Sequence, residues 1–199
     1  MDPQQATPRP AGRPRDPGLD IAIRTAAIEL IGEGGIEACA LDEVARRAGV
    51  GKATIYRRWA SKDALVVDAF RYSPPMEVPS TDQGSLAADA RALLAGLVAS
   101  LETPLALATR QLMPMLASHP EIAEVYRTRF AGAWTQAMDD VLARAEARGE
   151  VAPGAFPVLA LRAASALVTQ RWLMHVGTPD EALVDQLVEA LVVPHLATA

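Results

Sequence analysis

The chain has 199 residues, half of them hydrophobic, and its 19 basic and 24 acidic side chains give a formal net charge of −5. That balance excludes a protein that coats DNA over its whole surface, and a lone cysteine, Cys39, excludes an internal disulfide and suits a reducing cytosol. No uncharged run approaches the roughly 18 residues of a membrane span, so a cytoplasmic protein without a membrane partner is expected.

Residues 1–18 combine Pro3, Pro8, Pro10, Pro14 and Pro17 with Arg9, Arg13 and Arg15, a composition that buries too little apolar surface to fold alone. It reads as a disordered basic arm, suited either to a neighbouring minor groove or to a solubilising role. Asp16 and Pro17 read as the cap and first position of an opening helix. From Leu41 to Lys62 the sequence LDEVARRAGVGKATIYRRWASK spells two short helices joined by a glycine turn. In the first, Leu41, Val44, Ala45 and Ala48 share one apolar stripe and leave Asp42, Glu43, Arg46 and Arg47 wet. Gly49 permits the sharp turn and Val50 plugs the angle between the helices. In the second, Ile55 and Trp59 pack inward while Lys52, Ala53, Tyr56 and Arg57 project to another face, one that suits a major groove.

Charge follows the same division. Residues 1–66 hold ten basic against nine acidic groups, residues 67–199 nine against fifteen, and six basic residues with no acidic one lie between Arg46 and Lys62. Such a patch displaces phosphate counterions while the rest of the molecule repels DNA, so salt-dependent binding to double-stranded DNA is expected.

These residues carry a resemblance. From Ile21 to Leu65 the chain resembles the DNA-binding domain of the tetracycline-repressor (TetR) family, with an opening helix bearing Ala26, Ala27 and Leu30, a Gly34-Gly35 break, the LDEVARRAGV block, the KATIYRRW recognition helix and the following SKDAL. The resemblance implies an all-α homodimer with an N-terminal three-helix helix-turn-helix head and a larger C-terminal helical domain for ligand binding and dimerisation. It also implies phosphate contacts from Tyr56 and from Lys62, at the start of a fourth helix that Ser61 caps. Lys52, Ala53, Thr54 and Arg57 are the candidates for base contact, Arg57 first, because a bidentate arginine discriminates a guanine edge by about 1–3 kcal/mol. Arg46 and Arg58 complete the DNA-facing set. Three positions depart from the family pattern: Ala40 and Gly51 offer no side-chain oxygen where threonine and serine often cap, and Arg58-Trp59 replaces a histidine-phenylalanine pair.

The rest of the chain is patterned for helices throughout. Pro74, Pro75 and Pro79 break it after the fourth helix, and Thr81 to Ser85 reads as a loop before a helix over 86–101. Thr103-Pro104 opens another, which Pro114 kinks or ends. Pro120 starts the longest helix, ending at Gly149, with Ile122, Tyr126, Phe130, Trp134, Ala137 and Val141 on one stripe. The last two helices span 156–176 and 179–193. Leu161, Ala164 and Val168 on one, with Leu183, Leu187 and Leu191 on the other, are the candidate dimer surface. Periodicity alone does not separate that surface from intramolecular core; the resemblance assigns it.

Met113, Tyr126, Phe130, Trp134 and Trp172, with Met115, are candidates to line a pocket for a largely apolar small-molecule effector, and equally fit a core. Arg110, Gln111, Arg129 and Gln170 lie beside the apolar stripes as candidate orienting groups. His119, His175 and His195 are scattered without metal-ligand spacing, and adjacent Asp139 and Asp140 diverge by about 100° on a helix. No cofactor, metal or catalytic role is expected. The domains read as 1–18 (arm), 19–66 (head) and 67–199 (ligand binding and dimerisation). The function read is a sequence-specific transcriptional regulator, a repressor released from a palindromic operator by its ligand; the alternative is a helical ligand-binding or interaction protein whose helix-turn-helix no longer binds DNA.

Overall fold

The computed structural model describes residues 17–74, 78, 82–152 and 157–196. Residues 1–16 of the arm, Pro75, Pro79, Thr81 and Phe156 lie outside them, while Pro17 and Gly18 of the expected arm belong to the first helix. Every regular element among the described residues is helical.

Helix α1 (Pro17–Ala38) opens on Pro17 and breaks at Gly34 and Gly35, whose backbone leaves the helical region. Helices α2 (Leu41–Arg47) and α3 (Lys52–Tyr56) follow, then α4 (Lys62–Arg71). As the sequence implies, Ala40 and Gly51 sit at their N-caps without a side-chain bond, whereas the Ser61 side chain accepts from the Ala64 amide. Such a cap is worth about 1 kcal/mol. Ser85 and Thr103 cap α5 (Leu86–Ser100) and α6 (Pro104–Leu112) in the same way. Pro114 removes a helical donor, and α6 ends in a tight 3-10 turn at Met113–Met115.

The long helix expected from Pro120 is interrupted. α7 (Pro120–Tyr126) passes into a wide π turn at Arg127–Ala131 before α8 (Gly132–Ala147) resumes. The extra residue in that turn changes the facing of the stripe. Ile122, Val125, Phe130, Ala137 and Val141 are buried, while Tyr126 and Trp134 are only half-buried. The final pair is α9 (Pro157–Leu173) and α10 (Glu181–Leu187), the latter capped by Asp180 and continued by a second π turn at Val188–Val192.

Two apolar clusters hold these helices. In one, α5 packs against α8, α9 and α10 around Leu93, Leu94, Val141, Leu161, Val168 and Val188. The expected dimer surface is corrected here. Leu161, Ala164, Val168 and Leu187 are buried in the chain's own core, with Leu183 and Leu191 half-buried against it, so intramolecular packing already covers them. The exposed apolar positions of α9 are Leu159 and Leu167, with Met174 just beyond its end. A carboxylate clasp ties this bundle together: Asp89, its side chain fully buried, accepts from Arg148 at 3.0 Å and Arg144 at 3.4 Å.

The other cluster joins the first four helices to the body. Ile23, Ile31, Val44, Ile55, Trp59 and Leu65 share it with Ala108 and Leu112 of α6 and Ile122 and Val125 of α7. α1 and α6 approach closely at Gly32, where a Cβ would stand 3.2 Å from the Pro104 carbonyl oxygen. Among the described residues no single helix is long and apolar enough to cross a membrane.

Candidate nucleic-acid interface

The turn between α2 and α3 is built as its residues require. Gly49 takes φ +65°, and the next amide, Val50, donates back to the Ala45 carbonyl at 3.0 Å while its half-buried side chain packs on the head core. Ile55 and Trp59 are buried beneath α3. Trp59 is further pinned, its Nε1 donating to Asp68 Oδ2 at 3.0 Å, an oxygen that also accepts from Arg24 Nε at 2.8 Å. With its inner face anchored, α3 presents Lys52, Ala53, Tyr56 and Arg57 to solvent and leaves Thr54 half-buried.

The basic patch is not free positive charge. Acidic residues of α1 and α2, remote in sequence from most of their partners, reach into it. Lys52 Nζ meets Asp42 at 2.5 Å, Arg46 meets Glu43 at 2.5 Å, Arg47 meets Glu33 at 2.6 Å, and Lys62 meets Glu37 at 3.4 Å. The Asp42 hydrogen bond holds the Lys52 ammonium above the ordinary lysine range, and Arg46 holds Glu43 below the carboxylate range. Arg58 is a correction. Its side chain is only 17% exposed and pairs with Asp20 of α1, so it ties the recognition segment to the opening helix rather than standing ready for phosphate. Arg57 differs from all of these: its guanidinium lies 3.5 Å from the Thr54 hydroxyl and, among the described residues, reaches no carboxylate. Cys39, fully buried below α2, has its thiol pushed up to about 11 by desolvation, which keeps it protonated and unreactive.

Behind the head lies a half-open cavity of about 1350 Å³. Tyr126, Phe130, Trp134 and Trp172 line it, together with Leu97 and Leu101 of α5 and Leu105 of α6. Met113 does not; at the start of the Pro114 turn it faces a small neighbouring void with Leu112, Leu116 and Ile122, bounded by the same Tyr126 and Phe130. Met115 packs on the head cluster. Of the candidate orienting groups, Gln170 is exposed, Arg110 rests 5.0 Å from the Trp172 ring, Gln111 lies beside Gly35, and Arg129 donates to the Ser73 carbonyl at 2.6 Å. Helical patterning did not mark α1 as a wall, yet Ile21, Arg24, Thr25, Ile28 and Glu29 all line the cavity.

Two family models match this chain: the one described as bacterial regulatory proteins of the tetR family covers residues 23–69, and the tetracyclin repressor-like C-terminal domain covers residues 80–191. The chain belongs to the TetR family of transcriptional regulators. It is 37% identical over 119 residues to the HTH-type regulator YdeS of Bacillus subtilis, a match spanning 60% of each chain. It is 31% identical over 159 residues to the HTH-type regulator AqdR of Rhodococcus erythropolis, covering 78% of this chain and 74% of that one. In fold it resembles the crystal structure of a TetR regulator from Agrobacterium tumefaciens, with a TM-score of 0.72 at 18% identity over 92% of this chain and 96% of the other. As a TetR-family member it is a helix-turn-helix DNA-binding regulator, and a helical protein that has abandoned DNA is not favoured.

Proposed function

We propose that this regulator is a homodimeric repressor that leaves a palindromic operator when a largely apolar small molecule fills the cavity. The observation that carries the reading is the shared helix: α1 forms one wall of the cavity and also packs against α2 and α4 of the head. A ligand that fits better when α1 is displaced shifts the population away from the DNA-binding state by its differential affinity. In this reading residues 19–66 act as the head and 67–199 as the sensing and pairing body, in the cytoplasm, without catalysis or cofactor.

Each head inserts α3 into a major groove. Arg57 reads a base edge, supported by Lys52, Ala53 and Thr54, while Tyr56, Arg46 and Lys62 hold phosphates. Two heads about 34–36 Å apart meet successive turns of one face of the duplex, which requires a dimer. We place its surface on the exposed side of α9, at Leu159, Leu167 and Met174, in place of the largely covered residues that the resemblance assigns. Leu167→Glu is expected to yield monomers in sedimentation and to weaken operator binding without unfolding the chain; a dimer that persists rules this surface out.

The reading is tested by fluorescence anisotropy on DNA from the protein's own upstream region across a salt series. Tight binding that falls steeply with salt and is reversed by a cavity-filling compound is expected. Affinity equal to that for random DNA at every salt concentration argues against an operator there.

A further inference from the structure

The charged side chains of the cavity wall both come from α1, while Trp172 Nε1, buried and without a partner among the described residues, is a neutral donor on the α9 wall. Five wall hydroxyls are committed to backbone carbonyls: Ser73 to Phe70, Ser100 to Leu97, Thr103 to Ser100, Thr109 to Leu105 and Thr169 to Ser165. Two charged residues stand among the described wall residues, Arg24 and Glu29, and Glu29 faces Arg47 at 4.0 Å. Arg24 gives only its Nε to Asp68; among the described residues its terminal nitrogens have no hydrogen-bond partner, and they are not sealed off by burial. One face of its guanidinium is covered by the Tyr72 ring, 4.4 Å from the centroid. Tyr72 and Ile21, both on the cavity wall, are 61% and 62% exposed, and mark an apolar mouth beside Arg24. Arg129, which holds the wall carbonyl of Ser73, brings a second cation to this end and pairs with no described carboxylate. Two arginines thus stand near the mouth with Asp68 engaging one of them, while the wall carboxylate Glu29 is turned to Arg47.

We propose that the cavity takes an amphipathic carboxylate, its apolar body among Leu97, Leu101, Phe130 and Trp134 and its anionic group seated on the terminal nitrogens of Arg24. Arginine suits this task because its fork accepts a second carboxylate geometry without losing its charge. The seat is wired to the DNA face. The Asp68 oxygen that accepts from Arg24 also accepts from Trp59 Nε1, and Trp59 closes the recognition segment with its amide on the Ile55 carbonyl at 2.9 Å. A ligand carboxylate competes with Asp68 for Arg24, and the weakened Asp68 position loosens its hold on Trp59. Ligand class and signal thus share one residue. This inference rests on the cavity being the effector site.

The test uses the full chain and three probes of equal length, decanoate, decan-1-ol and decylamine, with calorimetric titration against Arg24→Gln and Asp68→Asn. Decanoate is expected to bind at least about tenfold tighter than decanol, as charge-assisted hydrogen bonds allow. Arg24→Gln should erase that ratio while leaving decanol binding unchanged, which also certifies the variant's fold. Asp68→Asn keeps an acceptor for Trp59 and removes the competing charge, so it should tighten decanoate. In a ¹⁵N-labelled sample decanoate, but not decanol, should move the Trp59 indole resonance, assigned with Trp59→Phe. Equal binding of decanoate and decanol overturns the seat and leaves the cavity standing as an effector site. Preference for decylamine overturns it in favour of Glu29. No binding by any probe removes the cavity reading along with the seat. A stationary Trp59 resonance during Arg24-dependent binding disproves the relay.

Discussion

The recognition face and the cavity are separated by little more than one helix, yet they are built on opposite plans. The face comes from one short stretch, Arg46 to Lys62, over a core of Ile55 and Trp59. The cavity collects its walls from α1, the end of α4, α5, α6, α8 and α9. The difference follows from what each must meet. The major groove has fixed dimensions, so a fixed local spacing serves it; a small molecule imposes no such period, and any set of helices that leaves a gap will do.

That contrast can be attacked first through the anchor beneath the face. Trp59→Ala removes a buried aromatic and leaves Asp68 short of a donor, so a loss of about 3–5 kcal/mol in chemical denaturation is expected. If stability hardly changes, the face is not held from beneath. The buried thiol offers the next largest effect. Because Cys39 titrates at about 11 in the folded chain against 9.0 as its ordinary value, the unfolded chain loses this proton first as pH rises. The contribution is therefore intact below about pH 9 and declines through about pH 11, by up to about 3 kcal/mol. Comparing the denaturation midpoint of the parent chain with Cys39→Ala over pH 8–11 checks it, since the slope from this group must vanish in the variant.

Arg57→Ala bears on the face alone. Base discrimination should fall by about 1–3 kcal/mol in a selection of bound sequences, with thermal stability unchanged and the cavity's ligand response preserved. An unaltered preferred sequence would take Arg57 off the reading list. The smallest expected effect comes from Asp42→Asn, which releases Lys52 from its 2.5 Å pair. Both side chains are more than half exposed, so stability should hardly move, while the salt dependence of DNA binding steepens by up to about one phosphate equivalent. A shallower slope would mean that Asp42 positions Lys52 rather than screening it.

The head was legible in the sequence because its signals are local. Gly49 dictates a turn, Val44 and Ala45 a stripe, Ile55 and Trp59 an inner face, and the structure bears each out. The counter-charges escaped notice because Asp20 and Glu37 lie far along the chain from Arg58 and Lys62, and only the folded arrangement of α1 brings them near. In the body the helices were legible, but their sides were not. Leu161 and Val168 carry the same period whether they pack within a chain or between two, and that period says nothing about which. The π turn at Arg127–Ala131 has no sequence period at all, and it reset the facing of Tyr126 and Trp134. Four of the six pocket candidates, all of them aromatic, nonetheless line the cavity, while Met113 and Met115 do not.

The cluster that joins the first four helices to the body limits modularity. Ala108, Leu112, Ile122 and Val125 complete the head's core from the body's side, α6 packing on α1 and α7 on α4, and Gly32 lets α1 seat directly on α6. A head transplanted onto a foreign sensor would arrive without the α6 and α7 side chains that close its core, and a sensor accepting a foreign head would present an apolar surface cut for another tenant. Exchange of binding specificities among such regulators by recombination would then succeed only at a crossover that carries α6 and α7 along with the head, so inheritance would treat as one unit what function divides into two.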